Sequence, residues 1–225
     1  MVLSFRDKRK VIEKLLNQLK EATVGLTKPM VPRLIEKYGR DPFLILIACL
    51  LSLRARDTVT YGIAKKLFEY AHTPQELLSI PIAKLEEIIY GTGFYRRKAK
   101  VLHDVSQEII SKYHGKVPST ETELLSLPGV GRKTANLVLA EAFGVPALFV
   151  DTHVHYLANV TGLVHTKNPL QTEQALKKIV PKDQWHVLSN LFVTWGQNFC
   201  TPSKSKPWCK QLTDNPQLGI KKPNL

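Results

Sequence analysis

The chain has 225 residues and a formal net charge of +13. A positive charge of this size indicates a polyanionic partner, with nucleic acid as the first candidate. A solvated basic surface is the simpler alternative. Hydrophobic residues make up 44% of the sequence, enough for a folded core, which argues against a disordered protein. Three cysteines give no disulfide framework, and no stretch is typical of a signal peptide or membrane span. We therefore expect a cytoplasmic protein without membrane contact, nucleoid-associated if prokaryotic.

Apolar residues recur at helical spacing along most of the chain. Residues 5–22 predict a basic amphipathic helix, and the two prolines of TKPMVPRL indicate a linker or turn. Asp41 and Pro42 suit the N-cap and first position of a nearly all-apolar helix over 41–53. Further helices are predicted over 55–71, 73–80, 82–93, 94–115, 119–127, from the Gly-x-Gly turn to Gly144, 152–162, 170–180 and 184–198. Thr73 is the expected cap of the 73–80 helix, a Ser/Thr-x-x-Glu capping pattern opens 119–127, and Gly115 is the expected C-cap of 94–115.

The apolar run ALFV (147–150) is predicted as an extended link, because no second β segment is present to pair with it. The residues from Cys200 onward are rich in Pro, Lys and Asn and are predicted to be irregular. The sequence therefore predicts an all-α protein.

LPGVG (127–131) lies between two predicted helices, an arrangement typical of a helix–hairpin–helix. Gly129 and Gly131 can adopt positive φ, and the exposed amides with the following helix dipole form an anion site suited to a DNA phosphate. A plain helix–helix connection is the alternative. The residues predicted to contact DNA here are Leu127, Gly129, Val130, Gly131, Arg132 and Thr134.

Lys133 falls in the first turn of the helix after the hairpin, where a cation is disfavoured by the helix dipole. Either a strongly negative partner approaches this position, or the lysine loses its proton easily. The helix N-terminus and partial burial both favour a neutral, nucleophilic amine.

LPGVGRKTANLVL followed by VDTHV resembles the helix–hairpin–helix DNA glycosylases with a Gly-Pro-Asp loop, in their endonuclease III branch. The similarity runs from about residue 41 to 163 and is recognisable to 195–200. It implies two helical domains: a six-helix domain at 35–145, and a second domain formed by 1–34 with 146–225. An interdomain DNA-binding cleft would hold an extruded nucleotide.

The resemblance implies a base-excision-repair DNA glycosylase with apurinic/apyrimidinic (AP) lyase activity, acting as a monomer on damaged double-stranded DNA that carries oxidised pyrimidines. Lys133 would attack C1′ and form a Schiff base, followed by β-elimination, while Asp151 would stabilise positive charge and assist proton movement. Alternatively, Lys133 binds only phosphate and Asp151 only caps a helix. The rival functions are a mismatch or uracil glycosylase with weak lyase activity, and a non-catalytic DNA-binding protein.

Other positions follow from the same resemblance. Arg54 stands where relatives usually carry glutamine, and Phe94 matches an apolar wedge, unless it is a core aromatic. His153 is a further predicted DNA contact, and Tyr156 replaces a frequent arginine. The basic residues Arg96, Arg97, Lys98 and Lys100 form either a DNA-backbone cluster or a solvated helix face.

No metal or cofactor is predicted. His153 and His155 are two residues apart, so they point to different helix faces and lack further ligands. Many relatives hold a four-iron cluster with four cysteines, whereas the C-terminal segment here has only Cys200 and Cys209. Lys204, Lys206 and Lys210 could face DNA, and Trp208 could pack in place of the cluster.

Overall fold

The structure, a computed structural model, describes residues 5–199. These residues form twelve α-helices and one 3₁₀ turn, with no strand among them, so the all-α prediction is confirmed. The bounds are α1 Phe5–Ala22, α2 Met30–Tyr38, α3 Pro42–Ser52, α4 Asp57–Phe68, α5 Pro74–Ser79, α6 Ile82–Ile88, α7 Tyr95–Tyr113, α8 Glu121–Ser126, α9 Arg132–Phe143, α10 Thr152–Val160, α11 Pro169–Ile179, the 3₁₀ turn Lys182–Gln184 and α12 Trp185–Phe199.

Two compact units divide the chain. One is Met30–Val145 and contains α2–α9, so it begins with α2, before the domain start predicted at residue 35. The other combines the described residues up to Pro29 with those from Pro146 onward. Within this second unit α1 packs against α11 and α12, which joins the two ends of the described chain in one core.

Helix α3 is the centre of the Met30–Val145 unit. All nine residues from Phe43 to Leu51 are buried, and the helix packs against α2, α4, α7 and α9. Asp41 caps it by accepting the N–H groups of Phe43 and Leu44, with Pro42 at the first helical position, as predicted. Such a cap is worth about 1 kcal/mol and fixes where this apolar helix begins.

Helix α2 is not predicted by the sequence: of TKPMVPRL, expected to be a linker or turn, only residues 27–29 are irregular, and the rest begins α2. Pro32 lies in the first turn of α2, where a backbone N–H has no intrahelical partner, so the missing donor costs little. The N–H of Met30 donates to Asp57 Oδ2 at the start of α4, at 3.0 Å, and this contact fixes the helix start.

The short helices begin where their capping residues predict. Thr73 forms a capping box with Glu76 ahead of α5, and the Thr120 hydroxyl accepts the N–H of Glu123 ahead of α8. Helix α7 ends at Tyr113. Its C-cap residue, His114, has φ 53°, and the next residue, Gly115, has φ 80°. The C-cap predicted at Gly115 is therefore formed by two consecutive left-handed residues.

The ALFV segment is buried in the second unit without forming a strand, as predicted. The hydroxyl of Ser189 in α12 donates to the carbonyl of Phe149 at 2.8 Å, which satisfies a backbone group that a sheet would otherwise pair. Across residues 5–199, no helix combines the length and apolar character needed to cross a membrane.

Candidate active site

The two glycines of the hairpin (residues 127–131) have different surroundings. Gly129 has φ 75°, and a Cβ there would lie 2.7 Å from Val101 Cγ1, so only glycine fits. Gly131 has φ −98°, so the expectation of a positive φ at both glycines was wrong. A Cβ at Gly131 would meet no atom within 4 Å, which means that open space lies in front of this residue.

The backbone amides that could meet an anion are those at the start of α9, directly after the hairpin. Val130 N–H is used within the turn, donating to the Leu127 carbonyl at 3.1 Å. Gly131 is the N-cap of α9 and carries no side chain that could cap it. The first-turn amides of α9 lack intrahelical acceptors, as at any helix N-terminus, and the dipole favours negative charge here.

Three of the predicted DNA contacts in this region have buried side chains: Leu127, Val130 and Thr134. Their side chains cannot reach a phosphate, and the N–H groups of Leu127 and Val130 already donate to the carbonyls of Leu124 and Leu127. Arg132 is exposed, and its guanidinium pairs with Glu121 Oε1 at 3.1 Å. An exposed ion pair of this kind is worth at most about 1 kcal/mol, so a DNA phosphate can compete with Glu121 for Arg132.

Lys133 lies in the first turn of α9, as predicted, and its side chain is partly buried. Its neighbourhood includes Cys49 of α3: burial raises the pKa of the Cys49 thiol to about 12, and the Lys133 charge only partly offsets that rise. The thiol therefore stays protonated and inert near the amine.

Asp151 is the N-cap of α10 in the second unit. Its Oδ1 accepts the N–H of Val154 at 2.9 Å, so the capping role that the sequence left open is present. The cap uses one oxygen of the carboxylate, and capping is therefore compatible with a catalytic role for the other.

The two histidines of α10 have different surroundings. His153 packs so closely on Gly196 of α12 that a Cβ at residue 196 would lie 2.5 Å from its Nδ1. The Nδ1 of His155 is instead 2.6 Å from the Thr172 hydroxyl. Tyr156 is 40% exposed on the same helix. Separate partners for His153 and His155 agree with the expectation that they do not form a metal pair.

Arg54 and Phe94 come together, although forty residues separate them in sequence. Phe94 is 64% exposed, so the alternative of a core aromatic is wrong. The guanidinium carbon of Arg54 lies 5.7 Å from the centre of the Phe94 ring. Both residues have left-handed backbones, with φ 53° and 60°, a strained conformation that is concentrated at functional sites.

A cavity of about 310 Å³ lies beside this pair, lined by Leu50, Leu53, Arg54, Phe94, Arg97, Lys98, Val101 and Gly129. It connects the Arg54 and Phe94 loops with the hairpin. Arg96, Arg97 and Lys100 are exposed, which fits both a DNA-backbone cluster and a solvated helix face. Lys98 is only 8% exposed and does not belong to that surface. The helical spacing distinguishes Lys98 from its basic neighbours, because it lies four and seven residues before the buried Leu102 and Val105, on the apolar face of α7.

The cysteines do not fit a four-cysteine iron–sulfur cluster. The sequence contains three, and Cys49 lies in the middle of α3 with its thiol buried and protonated. Cys200 and Cys209, like Trp208, Lys204, Lys206 and Lys210, lie outside the described residues. Among residues 5–199, no group of three or more His, Cys, Asp or Glu side chains could hold a metal ion.

Residues 47–182 match the sequence profile of the HhH-GPD superfamily base excision DNA repair proteins. The chain belongs to the HhH-GPD superfamily. It is 46% identical to endonuclease III of Thermotoga maritima over 171 residues, which is 76% of this chain and 79% of that protein. Endonuclease III of Bacillus subtilis is 39% identical over 71% of this chain and 74% of its own length.

Solved structures of the HhH-GPD superfamily agree. A non-covalent endonuclease III–DNA complex superposes with a TM-score of 0.78 at 33% identity, covering 93% of this chain and 95% of that one. A trapped endonuclease III–DNA covalent intermediate gives 0.76 at the same identity, covering 93% and 92%. The chain is therefore a DNA-binding enzyme of base-excision repair, a DNA glycosylase/AP lyase of the endonuclease III type.

Proposed function

We propose that this glycosylase removes oxidised pyrimidines from damaged double-stranded DNA, with Lys133 as the nucleophile and Asp151 as the assisting carboxylate. The position of Lys133 is the observation that carries the proposal: it follows directly on a hairpin whose amides suit a phosphate. A DNA strand anchored by that phosphate brings a sugar close to the amine. Phosphate binding alone would need neither a primary amine nor a carboxylate.

The chemistry needs a primary amine at this point. The Lys133 lone pair attacks C1′ of the sugar, the glycosidic bond breaks, and the base leaves with the bonding electrons and takes up a proton. Opening of the sugar ring gives an imine between Nζ and C1′. The imine acidifies C2′, and loss of a C2′ proton expels the 3′ phosphate by β-elimination, which breaks the strand. Water then hydrolyses the imine and frees the amine.

Asp151 has two parts in this proposal. Its negative charge stabilises the cationic character that develops at the sugar as the base departs. Its carboxylate also accepts and returns protons around the amine. The Val154 N–H holds one carboxylate oxygen and fixes the side-chain orientation, which keeps the second oxygen available in a defined direction.

Arg54 and Phe94 are proposed to act on the DNA rather than on the bond that breaks. Phe94 is exposed and is suited to fill the gap left by an extruded nucleotide. Arg54 donates hydrogen bonds to the base left without its partner. Because arginine cannot accept a hydrogen bond, its preference among opposing bases differs from that of a glutamine.

The substrate class rests on similarity to endonuclease III. A panel of duplexes, each with one lesion, tests it: thymine glycol and dihydrouracil against uracil, thymine opposite guanine, and 8-oxoguanine. Faster excision of the oxidised pyrimidines supports the proposal. A preference for uracil or mismatched thymine would instead identify the mismatch-type glycosylase. The monomeric state and a location at the nucleoid remain predictions.

We also propose that the enzyme acts without an iron–sulfur cluster, because the chain has too few cysteines to supply four ligands. Metal analysis of the purified full-length protein tests this. Iron below stoichiometric amounts and no brown absorbance are expected. A stoichiometric iron content with a visible charge-transfer band would contradict it.

Borohydride trapping tests the nucleophile. An oligonucleotide duplex with one abasic site is incubated with enzyme and reductant, which converts the imine to a stable amine linkage. We expect a covalent complex with the wild type and none with Lys133→Gln, whose amide cannot form an imine. Lys116→Gln, at an exposed position beyond α7, is the matched control and should trap normally. A wild type that neither traps nor cuts abasic DNA would contradict the mechanism.

A further inference from the structure

Lys98 connects two parts of the Met30–Val145 unit. It lies in the first turn of α7, which Phe94 caps, and its backbone N–H makes the ordinary helical bond to the Phe94 carbonyl at 3.0 Å. Its Nζ reaches across to α3 and donates to the carbonyl of Leu51 at 2.7 Å. The side chain therefore ties the helix start that follows Phe94 to the helix end that precedes Arg54.

Each of the last four carbonyls of α3 accepts a hydrogen bond from outside the regular helical pattern, and one of these bonds comes from Lys98. The Cys49 carbonyl accepts the Ser52 hydroxyl, and the Leu50 carbonyl accepts the Leu53 N–H. The Ser52 carbonyl accepts the N–H of Ala55. The Leu51 carbonyl is satisfied by Lys98, which completes the set at a helix end where such groups otherwise lack partners. Removing that amine would leave a buried acceptor beside the Arg54 turn.

The two loops also touch directly. A Cβ at Gly93 would lie 3.1 Å from the carbonyl oxygen of Arg54, so the backbones of the two loops are in close contact. Arg54 and Phe94 both hold left-handed backbones, which persist only when the surroundings fix them. The Lys98 side-chain hydrogen bond ends at Leu51, three residues before Arg54, and Lys98 itself follows Phe94 by four residues.

We propose that Lys98 is a positioning residue that holds Arg54 and Phe94 in the geometry needed to keep a duplex open around an extruded nucleotide. The inference rests on the proposed function, because it assigns Lys98 to the same reaction. It differs from a role in the chemistry at Lys133. The Lys98 side chain holds the end of α3, just before Arg54, against the start of α7, just after Phe94, and it acts on the substrate only through those two residues.

The cost of burying Lys98 supports this assignment. Burial lowers the pKa of its ammonium to about 8, so the fold carries an unfavourable charge at neutral pH. An apolar side chain would avoid that cost but would leave the Leu51 carbonyl without a donor. A long side chain with a terminal donor is what the distance between α7 and α3 requires.

The test compares AP-lyase rates on an abasic site in duplex and in single-stranded DNA. A single strand has no opposing base and no stacked helix to hold open, so Arg54 and Phe94 contribute little there. For Lys98→Met we expect a duplex rate about tenfold to 100-fold below that of the wild type, as for a misplaced contact group. The single-strand rate should stay near the wild-type value. Lys116→Met removes the same charge at the far end of α7 and should change neither rate.

Other outcomes would overturn the assignment. Equal loss on both substrates would mean that Lys98 supports the fold or Lys133 in general, and no loss on either would mean that the hydrogen bond is dispensable. If Lys98→Met does not fold, Lys98→Gln, which keeps a shorter donor, is measured instead and should also lower the ratio of duplex to single-strand rate. An inactive wild type contradicts the proposed function, whereas an unchanged ratio in an active protein contradicts only the Lys98 role.

Discussion

The Arg54 guanidinium lies over the ring of Phe94, at 5.7 Å from its centre, and both residues are held with positive φ. Neither is glycine, so each backbone is strained, and each lies in a loop at the end or start of a helix. The chain thus holds a cation and an exposed aromatic ring side by side at the expense of stability. Such an exchange of stability for a fixed geometry is typical of a binding site.

Replacing Arg54 by glycine relieves the strain, because glycine adopts positive φ freely. We expect Arg54→Gly to have a free energy of unfolding about 1 kcal/mol above that of Arg54→Ala, which loses the same side chain but keeps the strain. Both variants should bind an abasic duplex equally weakly. Denaturant unfolding and fluorescence anisotropy measure the two quantities. Equal stabilities would show that the left-handed backbone at Arg54 carries no strain.

The two hairpin glycines should respond differently to alanine. Gly131→Ala places a methyl group in open space, so stability should fall by less than about 1 kcal/mol, while affinity for DNA falls about tenfold as a phosphate is pushed away. Gly129→Ala combines positive φ with a clash against Val101 and should lose more than about 2 kcal/mol. Unchanged DNA binding by a folded Gly131→Ala would contradict the phosphate site.

Asp151 combines a cap with a proposed catalytic role, and two substitutions separate them. Asparagine caps helices nearly as well as aspartate, so Asp151→Asn should unfold within about 0.5 kcal/mol of the wild type, whereas Asp151→Ala should lose about 1 kcal/mol. Both should slow single-turnover excision by at least about 100-fold, since both remove the carboxylate. Full activity in Asp151→Asn would leave Asp151 only its capping role.

The buried Lys98 makes the free energy of unfolding depend on pH in the alkaline range. Its pKa is about 8 in the folded chain and near the usual 10.5 when unfolded, so the unfolded state binds more protons between these values. The Lys98 contribution to the free energy of unfolding therefore rises with pH from about 8 to about 10. Lys98→Met has no titrating group there, so wild type minus variant, measured by denaturant unfolding at several pH values, should rise over this interval. A constant difference would contradict the burial of the charge.

Much of the fold follows from local sequence signals. Asp41, Thr73 and Thr120 cap the helices that their spacing predicts, and the uninterrupted apolar run of α3 indicates a central buried helix. Helix α2 is not predicted because a proline in the first turn of a helix resembles a proline in a linker. The hydrogen bond that fixes the start of α2 joins Met30 to Asp57 of α4, so no local sequence pattern indicates it.

Some residues of the candidate site could also be predicted from local sequence, and others could not. Lys133 and Asp151 were recognisable because their short motifs place them at helix starts, where position alone defines their surroundings. The conformation of Gly131 depends on tertiary neighbours, so motif spacing could not predict it. The burial of Lys98 has a local signal, because Lys98 lies four and seven residues before Leu102 and Val105, on the apolar face of α7. Its partner, the Leu51 carbonyl of α3, is 47 residues away and has no such signal.

The central claim is that the Lys133 amine forms the covalent bond to C1′. Borohydride-trapped complex can be digested with protease and nuclease, and the modified residue located by tandem mass spectrometry. We expect the sugar remnant on the Nζ of Lys133 and no comparable modification on Lys98 or any other lysine. A remnant attached to a different residue, at full yield and with Lys133 unmodified, would contradict the account.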